Sequence, residues 1–194
     1  HLSVFSDIKQ MFIVGSFLTE KTDYNDIDLV LITDKKKKDL EEKVYSYLIN
    51  KFPLKFHIIA ILEDSLLYLL KICPLTRSMF YYYISNKKFD LPLDTEIDKD
   101  HIKFLLMMPE DLLKINANSR SFYDNIRRLI TIKQFLENKD LNPVEINIKL
   151  KSLFGGFLYS QIKNNEPIDK EILKYLRGII RTNLKGIQKN IIDK

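Results

Sequence analysis

The chain has 194 residues, a net charge of +5 and one cysteine, Cys73. Its hydrophobic fraction of 45% beside 29% charged residues is typical of a globular protein that dissolves in water. No apolar run reaches the ~18 residues that a membrane-spanning helix needs, and Asp7 and Lys9 interrupt the first apolar residues, which is not typical of a signal peptide. A single cysteine excludes an internal disulfide and suits a reducing compartment. We therefore expect a cytoplasmic protein without membrane contact.

Charge is distributed unevenly along the chain. Residues 1–100 sum to −2, whereas residues 101–194 sum to +7. An acidic first half beside a basic second half is compatible with a metal-binding region followed by an anion-binding region. A solvated, lysine-rich surface explains the same distribution more simply, so charge alone does not assign a function.

The first half of the chain alternates between short β-branched runs and helical patterns. Residues 11–14 are a β-rich run that ends at Gly15, a typical strand-to-turn boundary. Pro53 separates a helical pattern from a later apolar run. In chain order we predict strand 11–14, a loop or short helix at 17–25, strand 27–33, helix 38–50, strand 55–62, and helices 64–72 and 74–85.

From residue 100 onward the pattern is helical. We predict helices at 100–108 and 110–115 divided by Pro109, a long helix at 119–138, a helix that Asn142 caps and a last helix that Asp169 caps. Gly155 and Gly156 indicate close packing or a bend. The predicted fold class is α+β: a small mixed β-sheet flanked by helices over residues 1–95, followed by a C-terminal helical bundle over residues 96–194.

Two short polar motifs lie at the ends of the first two predicted strands. Gly15 and Ser16 follow the first strand, and Asp26 and Asp28 stand two positions apart where the second begins. Alternate residues of a strand point the same way, so both carboxylates project from one face and repel each other unless a cation lies between them. Oxygen ligands of this kind suit Mg²⁺. Gly15 lets the backbone approach a phosphate closely, and Ser16 adds a hydroxyl.

Residues 12–16 (FIVGS), nine further residues, and residues 26–30 (DIDLV) make up a recognisable pattern. The pattern resembles the signature of the polymerase-β-type nucleotidyltransferase superfamily, and is most similar to that of the minimal and aminoglycoside nucleotidyltransferases. The similarity covers residues 11–33, with weaker agreement to residue 62. It implies that Gly15 and Ser16 bind the terminal phosphates of a nucleoside triphosphate, and that Asp26 and Asp28 coordinate the metal ions.

The resemblance also implies a third carboxylate on a neighbouring strand, and here the sequence differs. His57 stands at that position in the third predicted strand. An imidazole can accept a proton or bind a transition metal, but it is a poor Mg²⁺ ligand. A hydrogen-bonded histidine on a partly buried strand is the other interpretation. Glu63 or Asp64 supplies the carboxylate if the strand register is shifted, although an acidic pair at a helix start also simply favours the helix dipole.

The resemblance predicts an enzyme that transfers a nucleoside monophosphate from a nucleoside triphosphate such as ATP to a hydroxyl acceptor. Mg²⁺ is the expected cofactor, with Mn²⁺ as its alternative. The acceptor is a small molecule, a protein side chain or an RNA end, and the sequence does not choose among them. The alternative function is a catalytically degenerate member of the fold that binds nucleotide, nucleic acid or a protein partner without turnover. A homodimer is compatible with either function.

The last predicted helix carries a basic stripe beside an apolar one. The basic residues recur at spacings of three and four and therefore share one face: Lys174, Arg177, Arg181, Lys185 and Lys189. The stripe is compatible with contact to RNA or DNA, although a solvated face is the more common role. Arg77, Arg120 and the aromatic run 80–83 are further candidates for phosphate or base contact, with surface and core roles as the alternatives.

Overall fold

A computed structural model describes residues 5–19, 26–35 and 38–192. The fold is α+β, as predicted, with a four-stranded mixed sheet flanked by helices and a C-terminal helical region. The chain divides into two compact units. The sheet unit comprises the described residues up to Lys71 together with Met79–Thr95, and the helical unit comprises Ile72–Ser78 and the chain from Glu96 onward.

The helices and strands follow one another in a simple order. In chain order they are β1 (Ile8–Val14), a 3₁₀ helix (Gly15–Leu18), β2 (Ile27–Thr33), α1 (Leu40–Ile49), β3 (Phe56–Leu62), α2 (Glu63–Ile72), α3 (Pro74–Met79), β4 (Tyr83–Ser85), α4 (Lys99–Asp111), α5 (Ser119–Leu136), α6 (Pro143–Lys163) and α7 (Lys170–Ile192). The second predicted strand has the predicted bounds. Part of the predicted loop at 17–25 lies in the 3₁₀ helix, and residues 20–25 lie outside the described residues.

The strands lie in the order β3-β2-β1-β4. β1 is antiparallel to its neighbours β2 and β4, whereas β2 and β3 are parallel. A parallel pair needs a crossover connection, which α1 supplies between β2 and β3. The register pairs Val14 with Asp28, and Asp28 with His57. Three adjacent strands therefore bring these three backbone positions side by side.

Each face of the sheet buries its own core. The face that we call the Asp28 face packs against α2 and is defined by four buried residues, Phe12, Val14, Val30 and Ile32. The opposite face, which we call the α1 face, packs against α1 and buries the alternate residues Leu29 and Leu31. Because side chains alternate along a strand, Asp28 shares its face with Val30 and Ile32. His57 shares that face with Ile61, which packs against the same core.

A side chain of α1 satisfies one backbone donor on the outer edge of β3. Oε1 of Glu41 accepts a hydrogen bond of 2.7 Å from the backbone N–H of Ala60. β3 is the last strand on this side of the sheet, where an unpaired backbone donor is open to pairing with another chain. Glu41 satisfies this donor from within the same unit.

The helix predicted at 74–85 is wrong in its second half. α3 ends at Met79, and Tyr83–Ser85 forms β4, in which Tyr83 pairs with Val14. Tyrosine and isoleucine both favour strands. The pairing also extends the core, since the rings of Tyr83 and Phe12 have centroids 5.9 Å apart. Long-range pairing with β1 therefore overrides the local helical pattern.

Pro109 does not divide the fourth helix. The helices predicted at 100–108 and 110–115 are replaced by one helix, Lys99–Asp111, that contains Pro109. Proline here removes a backbone donor close to the end of the helix, which limits the damage. Ile102, Leu105 and Leu106 are buried along the same helix, and burial of this apolar face holds it continuous through the proline.

α5 is the centre of the helical unit and packs against α4, α6 and α7. Its inward residues are completely buried, namely Phe122, Ile126, Leu129 and Ile132. The apolar stripe predicted on the last helix is also buried, at Leu176, Ile180, Leu184, Ile187 and Ile191. Within the described residues, no helix is both long enough and apolar enough to cross a membrane.

The predicted N-terminal caps of the last two helices are confirmed, and so is the predicted bend in α6. Asn142 accepts a hydrogen bond of 2.9 Å from the N–H of Val144, and Asp169 accepts one of 2.7 Å from the N–H of Ile172. Gly155 interrupts α6 with φ 72° and ψ 161°. This backbone conformation is readily adopted only by glycine, so the bend depends on it.

Gly155→Ala is expected to destabilise the protein by about 1–3 kcal/mol, because alanine is strained at this backbone conformation. Nothing lies within 4 Å of a Cβ built at this position, so strain is the only effect. Gly178 in α7 is a matched control with equally open surroundings and without a positive φ. Gly178→Ala should stabilise by about 0.5–1 kcal/mol. Urea denaturation measures both changes, and a shift of the same sign in the two variants would contradict the strained bend.

Candidate functional site

The Gly-Ser motif forms a tight turn at the end of β1. The strand ends at Val14, and Gly15 begins the 3₁₀ helix with a φ of 80°. The carbonyl oxygen of Ser16 accepts two hydrogen bonds from Thr19, one of 3.1 Å from its backbone N–H and one of 2.7 Å from its hydroxyl. Thr19 therefore closes the turn from both its main chain and its side chain.

Gly15 lies directly against the Asp28 carboxylate. A Cβ built on Gly15 would collide with Oδ2 of Asp28 and would lie 3.2 Å from Cγ of the same residue. The contact follows from the register, because Val14 pairs with Asp28 and the chain turns immediately after Val14. Glycine is therefore required here for two reasons, namely its positive φ and the absence of a side chain.

His57 occupies the other side of the same carboxylate. Its Nδ1 lies 3.1 Å from Oδ1 of Asp28, and the parallel register of β2 and β3 makes the two residues direct neighbours. The side chain of His57 is 63% exposed, whereas that of Asp28 is 27% exposed. One oxygen of Asp28 thus packs against Gly15 and the other contacts the imidazole.

The position of Asp28 disfavours its charged form. Burial is the main cause and raises the pKa of the Asp28 carboxyl above its ordinary value. The hydrogen bond with His57 lowers this pKa in part, and the charge of Asp26 raises it again. Asp28 is therefore a half-buried carboxylate beside a like charge, which is an environment that a bound cation would relieve.

Asp26 lies just before β2 and is exposed to solvent. Only Ile27 separates it from Asp28, so both acids lie at the start of β2. The structure thus places Gly15, Asp26, Asp28 and His57 at one end of the sheet. These residues are hereafter called the Asp28 site, together with Ser16 in the adjoining turn.

The donor atoms of the Asp28 site fit a divalent cation only in part. The carboxylates of Asp26 and Asp28 are oxygen ligands of the kind that Mg²⁺ takes, and such sites usually gain further oxygens from substrate phosphates and water. The imidazole of His57 does not suit Mg²⁺. Among the residues that the structure describes, no group of three or more histidine, cysteine or acidic side chains is gathered closely enough to hold a metal ion.

The alternative source of a third carboxylate is wrong. Glu63 begins α2 after the end of β3, and its carboxylate lies 3.9 Å from Nζ of Lys9 at the start of β1. Six residues separate Glu63 from His57, which along a strand corresponds to roughly 20 Å. Asp64 follows Glu63 in the first turn of α2. Both acids are thus at the far end of the sheet from Gly15.

The other candidates are largely engaged in structural contacts. Arg120 donates to the carboxylate of Asp124 and to the backbone carbonyl of Lys163, at 3.1 and 2.8 Å. Arg177 donates to the carbonyl of Ile115 at 2.8 Å. The rest of the basic stripe on α7 is exposed, at Lys174, Arg181, Lys185 and Lys189.

The aromatic run 80–83 serves the core of the sheet unit with only two of its four residues. Phe80 is buried, and the hydroxyl of Tyr83 donates to the carbonyl of Phe89 at 2.9 Å. Tyr81 and Tyr82 are partly exposed and contact each other edge to face, with centroids 4.9 Å apart. The run therefore divides between two core residues and two surface residues.

A separate apolar groove of about 410 Å³ lies on the α1 face of the sheet. Its walls come from the sheet, from the end of α1 and from the loop that follows, and include Ile13, Leu29, Phe52, Leu54 and Ile84. The Asp28 site is on the opposite face. The groove thus contributes none of its residues to that site.

Thr19 is the residue of the turn that sequence reasoning missed. A hydroxyl residue three positions after Ser16 is a usable signal, since threonine side chains commonly bond to nearby backbone groups in turns. The contact of Asp28 with His57 had no comparable local signal, because it depends on which residues of two separate strands lie opposite each other.

No family model matches the chain, and no curated protein or solved structure shows a significant similarity to it. Function must therefore be inferred from the geometry of the Asp28 site.

Gly15→Ala is expected to destabilise the protein through its positive φ and through collision with Asp28. The second contribution disappears in Asp28→Ala, where only the Asp28 Cβ remains, at 3.5 Å from the new methyl group. Gly15→Ala should therefore destabilise by at least ~1 kcal/mol less in the Asp28→Ala background than in the wild type. Chemical denaturation of the four proteins measures this coupling. Additive effects, within about 0.3 kcal/mol, would show that Gly15 and Asp28 are not in contact.

The pKa of Asp28 should respond in opposite directions to its two neighbours. His57→Ala removes a hydrogen bond that lowers this pKa and should raise it further, whereas Asp26→Asn removes a like charge and should lower it. Carboxyl ¹³C NMR titration of the metal-free protein measures both shifts. A fall in the His57→Ala variant would contradict the observed contact.

The raised pKa of Asp28 also determines how its contribution to the stability of the protein changes with pH. A raised pKa means that the folded state holds the Asp28 proton more tightly than the unfolded state does. Protonated Asp28 therefore stabilises the folded state. This contribution is complete at a pH below the pKa of Asp28 in the unfolded state and is lost as the pH rises through its pKa in the folded state. Asp28→Asn should remove this part of the pH dependence.

Proposed function

We propose that the chain is a nucleotidyltransferase of the polymerase-β type, which transfers a nucleoside monophosphate from a nucleoside triphosphate to a hydroxyl group and releases pyrophosphate. The observation that carries the proposal is the packing of the Asp28 carboxylate against the Gly15 turn, with Asp26 nearby. A turn suited to phosphates thus adjoins carboxylates suited to cations, and nucleotidyl transfer needs both within reach of one polyphosphate.

The turn would bind the phosphates. Gly15 carries no side chain to obstruct the approach of an anion, and successive backbone N–H groups in such a turn can donate to phosphate oxygens. The hydroxyl of Ser16 adds a further donor. Thr19 stabilises the turn through the two hydrogen bonds that it donates to the Ser16 carbonyl.

The acids would hold the cation. Asp28 is kept in place by Gly15 on one side and by His57 on the other, while Asp26 is exposed to solvent and to any ligand bound there. A divalent ion bound here would neutralise charge on the phosphates and on the leaving pyrophosphate. The half-burial of Asp28 strengthens its attraction for a cation, because the same burial that disfavours its lone charge reduces screening by water.

A second candidate is a protein that binds a nucleoside triphosphate without turnover. The observation that favours it is the identity of the residue paired with Asp28, since His57 stands where the resemblance implies a carboxylate. Binding needs the Gly15 turn and one or two acids. Turnover also needs the reacting groups to be positioned and charged correctly, so it is the more sensitive of the two to this replacement.

The test is release of pyrophosphate from ATP and the other nucleoside triphosphates, with Mg²⁺ or Mn²⁺ and with small-molecule, protein and RNA acceptors. Asp26→Asn and Asp28→Asn should each lower the rate by about 100-fold or more, the usual effect of removing an electrostatic stabiliser. Asp34→Asn is the matched control. Asp34 lies just past the other end of β2, where it pairs with Lys9, and its replacement should leave the rate unchanged. Equal rates for wild type and Asp26→Asn would rule out this site.

Pyrophosphate release, combined with calorimetric binding of a nucleoside triphosphate, separates the two candidates. Calorimetric binding of a nucleoside triphosphate without turnover in the wild type, with turnover gained in His57→Asp, would support the binding protein. Turnover in the wild type would support the enzyme. Absence of both binding and turnover would overturn both candidates.

A further inference from the structure

His57 gives the Asp28 site a nitrogen atom that can bind a metal ion, and this atom bears on which ion the site binds. Nδ1 of His57 and Oδ1 of Asp28 are 3.1 Å apart. The His57 side chain is mostly exposed, so an ion can reach it from solvent. Oδ2 of Asp28 packs against Gly15, which leaves Oδ1 as the oxygen that adjoins the imidazole.

The spacing of these two atoms matches neighbouring positions around a metal ion. Bonds from a small divalent ion to imidazole nitrogen and carboxylate oxygen are about 2.1 Å long. Adjacent ligand atoms around such an ion are therefore about 3.0 Å apart, and the 3.1 Å between Nδ1 and Oδ1 is close to that separation. The pair could therefore bind one ion without a change in backbone register.

The chemistry of the pair decides between ions. Mg²⁺ is a hard ion that binds oxygen, whereas imidazole suits the first-row transition ions, and Mn²⁺ accepts carboxylate, phosphate and water as well. We propose that His57 and Asp28 are adjacent ligands of one ion, and that the Asp28 site therefore selects Mn²⁺ over Mg²⁺. The proposal rests on the proposed function for the presence of an ion at this site.

In the metal-free protein the same two atoms share a proton instead. Nδ1–H of His57 donates to Oδ1 of Asp28 in the tautomer that this contact favours. Binding of an ion exchanges that arrangement for one in which Nδ1 offers its lone pair and Nε2 carries the ring proton. The hydrogen bond thus keeps the imidazole beside Oδ1 in the metal-free protein, and the ring has only to tilt for Nδ1 and Oδ1 to face one ion together.

Pulsed electron paramagnetic resonance of Mn²⁺ added to the full-length, tag-free protein tests the proposal without any need for activity. A nitrogen nucleus bound directly to Mn²⁺ modulates the electron spin echo. The ¹⁴N modulation should be present in the wild type and absent in His57→Asp and His57→Gln. His101→Gln is the matched control, since His101 belongs to α4 and is not one of the residues of the Asp28 site, and it should keep the modulation.

Displacement of Mn²⁺ by Mg²⁺ gives a second readout. The Mg²⁺ concentration that displaces half of the Mn²⁺ should fall by about tenfold or more in His57→Asp relative to the wild type, because the new ligand is oxygen. An unchanged concentration, or the absence of ¹⁴N modulation from the wild type, would overturn the proposal.

The two proposals fail in different ways. Nucleotide transfer with Mg²⁺ in a protein that shows no ¹⁴N modulation would overturn the choice of ion and leave the proposed enzyme intact. Modulation that depends on His57, in a protein that neither binds nor turns over nucleoside triphosphates, would support the metal ligands and overturn the nucleotide function.

Discussion

The Asp28 site depends on one carboxylate that is held from two sides. Gly15 leaves room for Oδ2 of Asp28, and His57 contacts Oδ1. A larger residue at position 15 would displace the carboxylate, and without the imidazole its anion would lose a hydrogen bond. The side chain is thus positioned before any ligand arrives, which is the main requirement of an electrostatic site.

The sheet provides this arrangement through its mixed topology. The antiparallel pairing of β1 with β2 brings the Gly15 turn to the start of β2, and the parallel pairing of β2 with β3 brings His57 to the same level. The crossover through α1 makes the second pairing possible. α2, Phe80 and Phe89 cover the apolar part of the Asp28 face, so Asp28 lies where an apolar core meets solvent.

Much of the fold was predictable because local patterns and tertiary packing agree. β2, the caps at Asn142 and Asp169 and the bend at Gly155 each have a local physical cause, which is visible in the sequence. β4 and the continuous α4 were not predictable in this way. The pairing of Tyr83 with Val14 and the burial around Pro109 are tertiary effects that oppose the local signal.

The site was predictable to a similar extent. The residues Gly15, Asp26 and Asp28 follow from a pattern within one stretch of chain, and the structure packs Gly15 against Asp28 with Asp26 just before β2. The position of His57 relative to Asp28 depends on register between strands that are 29 residues apart. A shift of one residue would have turned His57 to the opposite face. Only the structure decides between these registers and excludes Glu63.

The bond from Glu41 to Ala60 has a consequence for how this protein behaves at high concentration. Sheets commonly grow sideways when an open margin recruits a strand from a neighbouring molecule. Here the carboxylate already holds one of the backbone donors that an incoming strand would need. A strand that adds to the edge of β3 would first have to break that bond. The bond therefore disfavours association of the chains through this edge.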